Sequence, residues 1–316
     1  MKPLQTKGLL FLWLGMIKRP GYLKKGDTIG IVATARSVKP EEIEPAVRIL
    51  ESWGLKVVLS DYLYEVSGQF AGEDKVRKAA LQHMINNPDI KAIACARGGY
   101  GTTRIIDCID FTPLLHTPKW VIGFSDITVL LYQLYKVGVE SIHGIMPGLF
   151  HKPEMKESVE SLRRALFGHH MEIVTPYQPL NKLGTASGPV VGGNLSIINN
   201  IIGTGSDIDT AGKILFIEDL DEYLYHVDRM MVHLKRAGKL QKLKALVVGG
   251  MSDMNDNPTP FGKDAYEIIH EHVSSYDYPV CFGMPIGHEA INLAIPFGRE
   301  ATITIGEGGS KLVFRE

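Results

Sequence analysis

Between residues 28 and 136 the chain alternates short apolar runs with amphipathic stretches, and that alternation restricts it to one fold class. Thr28-Ile-Gly-Ile-Val-Ala33 follows the turn signal Lys25-Gly26-Asp27 and reads as a strand. Residues 40–53 repeat Ile43, Val47 and Leu50 on one helical face, and Gly54 closes it. Residues 56–59 read as a strand, and 74–87 as a helix with Val76, Ala80, Leu81, Met84 and Ile85 inward. Residues 92–96 form a strand that runs into Arg97-Gly98-Gly99-Tyr100-Gly101, with a helix expected from there to about Ile109. Residues 120–123 make another strand, followed by Phe124-Ser125-Asp126 and a helix to Lys136. This order implies an α/β fold with a parallel, flavodoxin- or Rossmann-like sheet covered on both faces. Ligand sites of such sheets lie at the carboxyl ends of the strands, where the Gly98 loop and Ser125 both fall.

Composition changes after Leu166. We expect an N-terminal α/β domain over 17–170, a linker over 171–187 and a smaller C-terminal α/β domain over 188–316. In the second half, strands are expected at 214–217, 245–248 and 280–283, and helices near 195–202, 225–237 and 263–273. The chain should end in a hairpin, 301–305 with 311–314, around Glu307-Gly308-Gly309. Residues 1–16 hold an apolar stretch, 8–15, too short to span a bilayer, before a second methionine at Met16. They read as a disordered extension or an upstream start.

The formal net charge of −1 points away from nucleic acid and from anionic membranes. Cys95, Cys108 and Cys281 stand at no metal-ligand spacing and suit a reducing compartment, so a cytoplasmic location is expected. His270 and His272 point apart on a helix, and Pro258 occupies the glycine position of a possible calcium loop. No metal and no cofactor is expected.

Five places could carry chemistry. Ser125 stands in a sharp strand-to-helix turn, where a hydroxyl is presented outward above free helical N–H groups. It is either a nucleophile or a helix N-cap. The Gly98-Gly99 loop is either an oxyanion or anion cradle or a tight βα turn. Glu218 ends an apolar strand inside Glu218-Asp219-Leu220-Asp221-Glu222. It could orient a histidine or belong to a solvated acidic loop. His288, in Gly287-His288-Glu289 beyond a strand, is a candidate general base among eleven histidines. Gly192-Gly193-Asn194 could make a substrate contact at a helix start, or simply cap it.

Taken in order, these segments resemble the LD-carboxypeptidase family of serine peptidases, which also holds the microcin C immunity peptidases. The matching pieces are Leu23-Lys-Lys-Gly-Asp-Thr-Ile-Gly-Ile-Val-Ala33, Ala96-Arg-Gly-Gly-Tyr-Gly101 and Ile122-Gly-Phe-Ser-Asp-Ile-Thr128. Gly192-Gly-Asn-Leu-Ser196, Leu215-Phe-Ile-Glu-Asp219, Asp228-Arg-Met230 and Gly283-Met-Pro-Ile-Gly-His288 follow. The chain departs in its N-terminal extension and in Ala33-Thr34-Ala35, where proline is more usual. The resemblance implies a Ser125, Glu218, His288 triad and an oxyanion hole from the N–H groups of Gly99 and Asp126. It also implies a homodimer that removes terminal D-alanine from a murein tetrapeptide. Such a peptide carries a free carboxylate, for which Arg97 and Arg229 are candidate partners. Two other readings remain: hydrolysis of aminoacyl or peptidyl adenylates, and a non-catalytic two-domain module that closes on a ligand. An α/β-hydrolase is disfavoured, because the second glycine of its elbow is missing.

Overall fold

The computed structural model describes residues 17–316, and the reading of residues 1–16 lies outside them. Strands β1 (Thr28–Val32), β2 (Lys56–Leu59), β3 (Ile90–Cys95), β4 (Trp120–Gly123) and β5 (Ser141–His143) are parallel. Their spatial order is β2-β1-β3-β4-β5. This is the flavodoxin-like arrangement, with its switch point between β1 and β3, where outgoing loops diverge and leave a crevice. Helices α1 (Pro40–Ser52), α2 (Asp74–Asn86), α3 (Thr112–His116), α4 (Thr128–Lys136) and α5 (Lys156–Leu166) complete this half. In α1, Pro40 at the start and the Lys39 N–H to Glu42 bond (2.8 Å) fix the beginning, and Ile43, Ala46 and Leu50 bury one face.

The second sheet is ordered β10-β9-β8-β7-β12-β13-β6. Its parallel part comprises β7 (Gly184–Asn194), β8 (Ile214–Leu220), β9 (Ala245–Ser252) and β10 (Val280–Cys281). Its antiparallel part adds the hairpin β12 (Glu300–Gly306) and β13 (Gly309–Phe314), and β6 (Glu172–Thr175). Helices α6 (Leu195–Ile201), α7 (Leu224–Arg236) and α8 (Ala265–Val273) accompany it.

Three expectations need correction. The helix expected beyond Gly101 is instead two 3₁₀ turns, Thr102–Arg104 and Ile106–Cys108. The β-branched run Thr102, Thr103, Ile105, Ile106 is a weak helix former, and the Thr102 N–H is taken by the Asp126 carboxylate at 2.8 Å. Residues 171–187, read as a linker with an extended stretch at 171–178 and a loop at 179–187, contain β6 within the extended stretch and the start of β7 in place of the loop. The partner of β6 is β13, the last strand of the chain, so nothing local announces that pairing. Finally, β11 (Ile295–Phe297) leaves the C-terminal half and pairs antiparallel with β5 at the edge of the first sheet. An edge accommodates Pro296, which lacks a backbone donor.

Candidate active site

Ser125 follows β4 at the tip of the sheet, with φ of 62°. A β-carbon-bearing residue holds this left-handed conformation only at a cost of about 1–3 kcal/mol. Ser125 is therefore not an N-cap: it opens a 3₁₀ turn, Ser125–Ile127, makes no capping bond, and α4 starts after it. The strained turn lifts the hydroxyl above the sheet, into a cleft of about 670 Å³.

The loop after β3 forms the adjoining wall. A β-carbon on Gly98 would stand 3.1 Å from Ser125 Cβ and 3.3 Å from its Oγ, so a side chain there would crowd the serine side chain. Gly99 has φ of 107°, and the aliphatic stem of Arg36 lies over it. The Asp126 side chain is buried and turns away from the cleft to the Thr102 N–H, fastening the glycine loop to the elbow. Burial raises the Asp126 pKa, against the donors Thr102 and Gly101. Among the described residues, the N–H groups of Gly99 and Asp126 make no hydrogen bond, as oxyanion donors would require.

The opposite wall comes from the second sheet. Glu218 lies within β8 rather than in a solvated loop, and its side chain is 0% exposed. Its Oε2 lies 2.7 Å from His288 Nδ1. A carboxylate can only accept, so Nδ1 carries the proton and Nε2 is left free. Desolvation lowers the His288 pKa, but the Glu218 hydrogen bond and charge, with Asp219 and Glu289, raise it by more, to a net increase. Gly287, with φ of 104°, leaves no room for a side chain: a β-carbon would lie 2.7 Å from Glu218 Oε2. The His288 loop is anchored from both halves of the molecule. The Gly287 N–H donates to Asn292 Oδ1 (2.9 Å), and the Asn292 N–H donates to Ser158 Oγ in α5 (2.8 Å). The His288 ring also packs on Phe124, with centroids 4.9 Å apart.

Ser125 and His288 line the same cleft, with Glu218 directly behind the imidazole. No direct hydrogen bond joins Ser125 to His288 among the described residues. Arg97, Gly98, Gly99, Asp126 and Asn194 also line it. The Asn194 side chain is fully engaged: Oδ1 caps α6 at the Ile197 N–H and Nδ2 donates to Asp219. Arg97 pairs with Glu42 at 3.5 Å. Arg229 lies outside this cleft, in a neighbouring depression with Glu222 and His226. Sequence reasoning passed over Arg36, Met146 and Lys152, because none stands in a pattern that signals chemistry, and it gave Asp219 no role of its own. Asp219 accepts from Asn194 and from the Ser196 and Leu220 N–H groups, yet burial and the charge of Glu218 push it up to about 7. Behind the site, His143 is wholly buried against Phe216, and burial pushes it down to about 4, so it stays neutral. Among the described residues there is no cluster of metal-ligating side chains, and no helix is long and apolar enough to cross a membrane.

Fold and cleft together define a two-domain α/β protein whose cleft is lined by Ser125 and by His288, the latter bonded to Glu218. Sequence profiles agree: the LD-carboxypeptidase N-terminal domain matches residues 29–144, and the LD-carboxypeptidase C-terminal domain matches 187–303. A probable murein peptide carboxypeptidase of Bacillus subtilis is 35% identical over 295 residues, covering 92% of each chain. The crystal structure of muramoyltetrapeptide carboxypeptidase from Oxalobacter formigenes superposes with a TM-score of 0.84 at 29% identity. That match covers 92% of this chain and 99% of the other. A microcin C7 self-immunity protein of Escherichia coli is 26% identical over 316 residues, covering 89% of this chain and 91% of its own. The chain belongs to the LD-carboxypeptidase family, which makes it a peptide hydrolase of the carboxypeptidase kind.

Proposed function

We propose that this protein is a serine-type LD-carboxypeptidase that releases terminal D-alanine from murein tetrapeptides. The observation that carries the reading is the 2.7 Å His288–Glu218 contact, facing a serine held at φ of 62° in the same cleft. Ser125 Oγ attacks the carbonyl of the L-centre while its proton passes to His288 Nε2. Glu218 holds the imidazole in the required tautomer and balances the imidazolium charge. The N–H groups of Gly99 and Asp126 receive the developing oxyanion. His288 then gives its proton to the departing D-alanine amine. A water molecule, deprotonated by the same ring, hydrolyses the acyl-enzyme.

Adenylate hydrolysis is less well supported. Stacking on a purine needs an exposed aromatic face, and the one Phe, Tyr or Trp among the described cleft residues is Phe124, 3% exposed and packed on His288. A binding module without chemistry gives no reason to strain Ser125 or to bury Glu218 behind an imidazole. The test is mass spectrometry of the purified protein with an L,D-tetrapeptide. We expect loss of D-alanine with wild type and a fall of about 10⁴-fold or more with Ser125→Ala. An intact tetrapeptide after incubation with wild type sinks the reading.

A further inference from the structure

We propose that Arg36 binds the free carboxylate of the leaving residue, and so makes this site an exopeptidase site. The inference rests on the carboxypeptidase reading above and names the residue responsible for its end-specificity.

Arg36 leaves the loop after β1, and Gly98 and Gly99 leave the loop after β3. These are the two strands that flank the switch point of the first sheet, where the crevice of such a fold opens. The Arg36 N–H donates to Gly98 O at 3.4 Å, which joins the two loops. Its side chain lies directly over Gly99: a β-carbon there would fall 2.5 Å from Arg36 Cδ and 2.9 Å from Nε. The guanidinium is thus carried to the edge of the proposed oxyanion hole, and Gly98 in turn touches Ser125.

Partnership separates Arg36 from Arg97, the other guanidinium of the cleft; Lys152 is likewise unpaired among the described residues but lacks the planar fork that takes a carboxylate through two bonds. Arg97 is committed to Glu42. Among the described residues, the Arg36 guanidinium has neither a carboxylate partner nor a hydrogen bond. Residues of the first domain supply the cations Arg36, Arg97 and Lys152 against two carboxylates, Glu42, which pairs with Arg97, and Asp126, which is tied to the Thr102 N–H, whereas the second supplies Asp219, Asp221 and Glu222. An anionic chain end is therefore drawn to the Arg36 side. Chain geometry agrees. In a carboxypeptidase substrate, one residue separates the scissile carbonyl from the terminal carboxylate, a span of about 3.5 Å. The cation must then sit beside the oxyanion site, as Arg36 does. A planar guanidinium takes a carboxylate through two parallel N–H donors, and a neutral amide end loses that charge-assisted pairing.

The test compares a tetrapeptide ending in D-alanine with the same peptide ending in D-alaninamide. Wild type should favour the acid by about 10–100-fold in kcat/KM, the usual worth of a hydrogen bond to a charged group. Arg36→Gln should lose that preference, chiefly through KM for the acid, with the amide little affected. An unchanged acid-to-amide ratio in Arg36→Gln overturns the proposal, as does a ratio that collapses in Lys152→Gln instead. A second arm measures binding of both peptides to Ser125→Ala and Ser125→Ala/Arg36→Gln protein by calorimetry. Tighter binding of the acid, only where Arg36 is present, supports the assignment even if wild type fails to cleave the bond. Absence of that difference, or of any binding, overturns it. Failure to hydrolyse the acid counts against the proposed reaction alone.

Discussion

His288 carries two opposed influences, and its chemistry depends on which prevails. Burial alone would make the imidazole a weaker base. The Glu218 hydrogen bond and charge reverse that, so the folded pKa lies above 6.5. Stability from this pair is therefore complete below the unfolded pKa and fades as pH rises through the folded value. Activity runs the other way, because only the neutral ring accepts the Ser125 proton. The ascending limb of kcat/KM should lie above pH 6.5 in wild type. Glu218→Gln keeps an acceptor but removes the charge, so its limb should move to lower pH and its plateau should fall by about 10³–10⁴-fold. A pH–rate profile of each checks this, and coincident limbs would refute the coupling. The residue scale was partly legible. Ser125 and His288 stand in recognisable turns. Arg36 does not, because a lone arginine after a strand carries no pattern, and its value comes from what it lies against.

At the scale of elements, the site is a meeting of strand ends. The loop after β3 lies close against the elbow after β4, where Gly98 adds no side chain to crowd Ser125, and the Asp126–Thr102 bond holds the two together. Gly98 itself needs no left-handed backbone, so alanine there acts through space alone. Its methyl group would crowd Ser125 and the Met146 methyl at 3.4 Å. We expect Gly98→Ala to lower kcat/KM by about 10–100-fold through misplaced reacting atoms. Stability should change by about 1 kcal/mol or less. Parallel kinetics and urea unfolding test it, and full activity would show that the loop has slack. The acidic segment after residue 217 was the harder element to read. Its composition suits solvent, yet β8 continues through it because β9 pairs with it at Asp219↔Met251 and Leu220↔Ser252.

Across the whole molecule, the two halves are sewn together rather than merely linked. β11 belongs to the first sheet, and the loop that carries His288 runs towards it past the Asn292–Ser158 and Ala294–Ser161 bonds. Thr128 Oγ1 of α4 accepts the Asn194 N–H at 3.1 Å. Near the start of β5, Glu140 pairs with Arg299, next to β12, at 2.8 Å, with both side chains about 5–6% exposed. Glu140→Ala would leave the Arg299 guanidinium buried without its carboxylate. We expect a loss of about 3–5 kcal/mol in urea unfolding. Because the seam ties both sheets, that loss should appear in one cooperative transition. Two separated transitions in wild type would contradict this account.

The amino-acid sequence by itself determined the α/β class, the strand and helix periods, the placing of Ser125 and the glycine loop at strand ends, and the family. Each of these depends on local periodicity or on short ordered motifs, because a segment records in its own residues which face it buries. Tertiary structure alone decided which remote segments meet. It paired β6 with β13, sent β11 into the first sheet, closed the 70-residue gap between Glu218 and His288 to 2.7 Å, and laid Arg36 over Gly99. Those contacts follow from how two sheets and their loops pack together, and no window of sequence contains both partners.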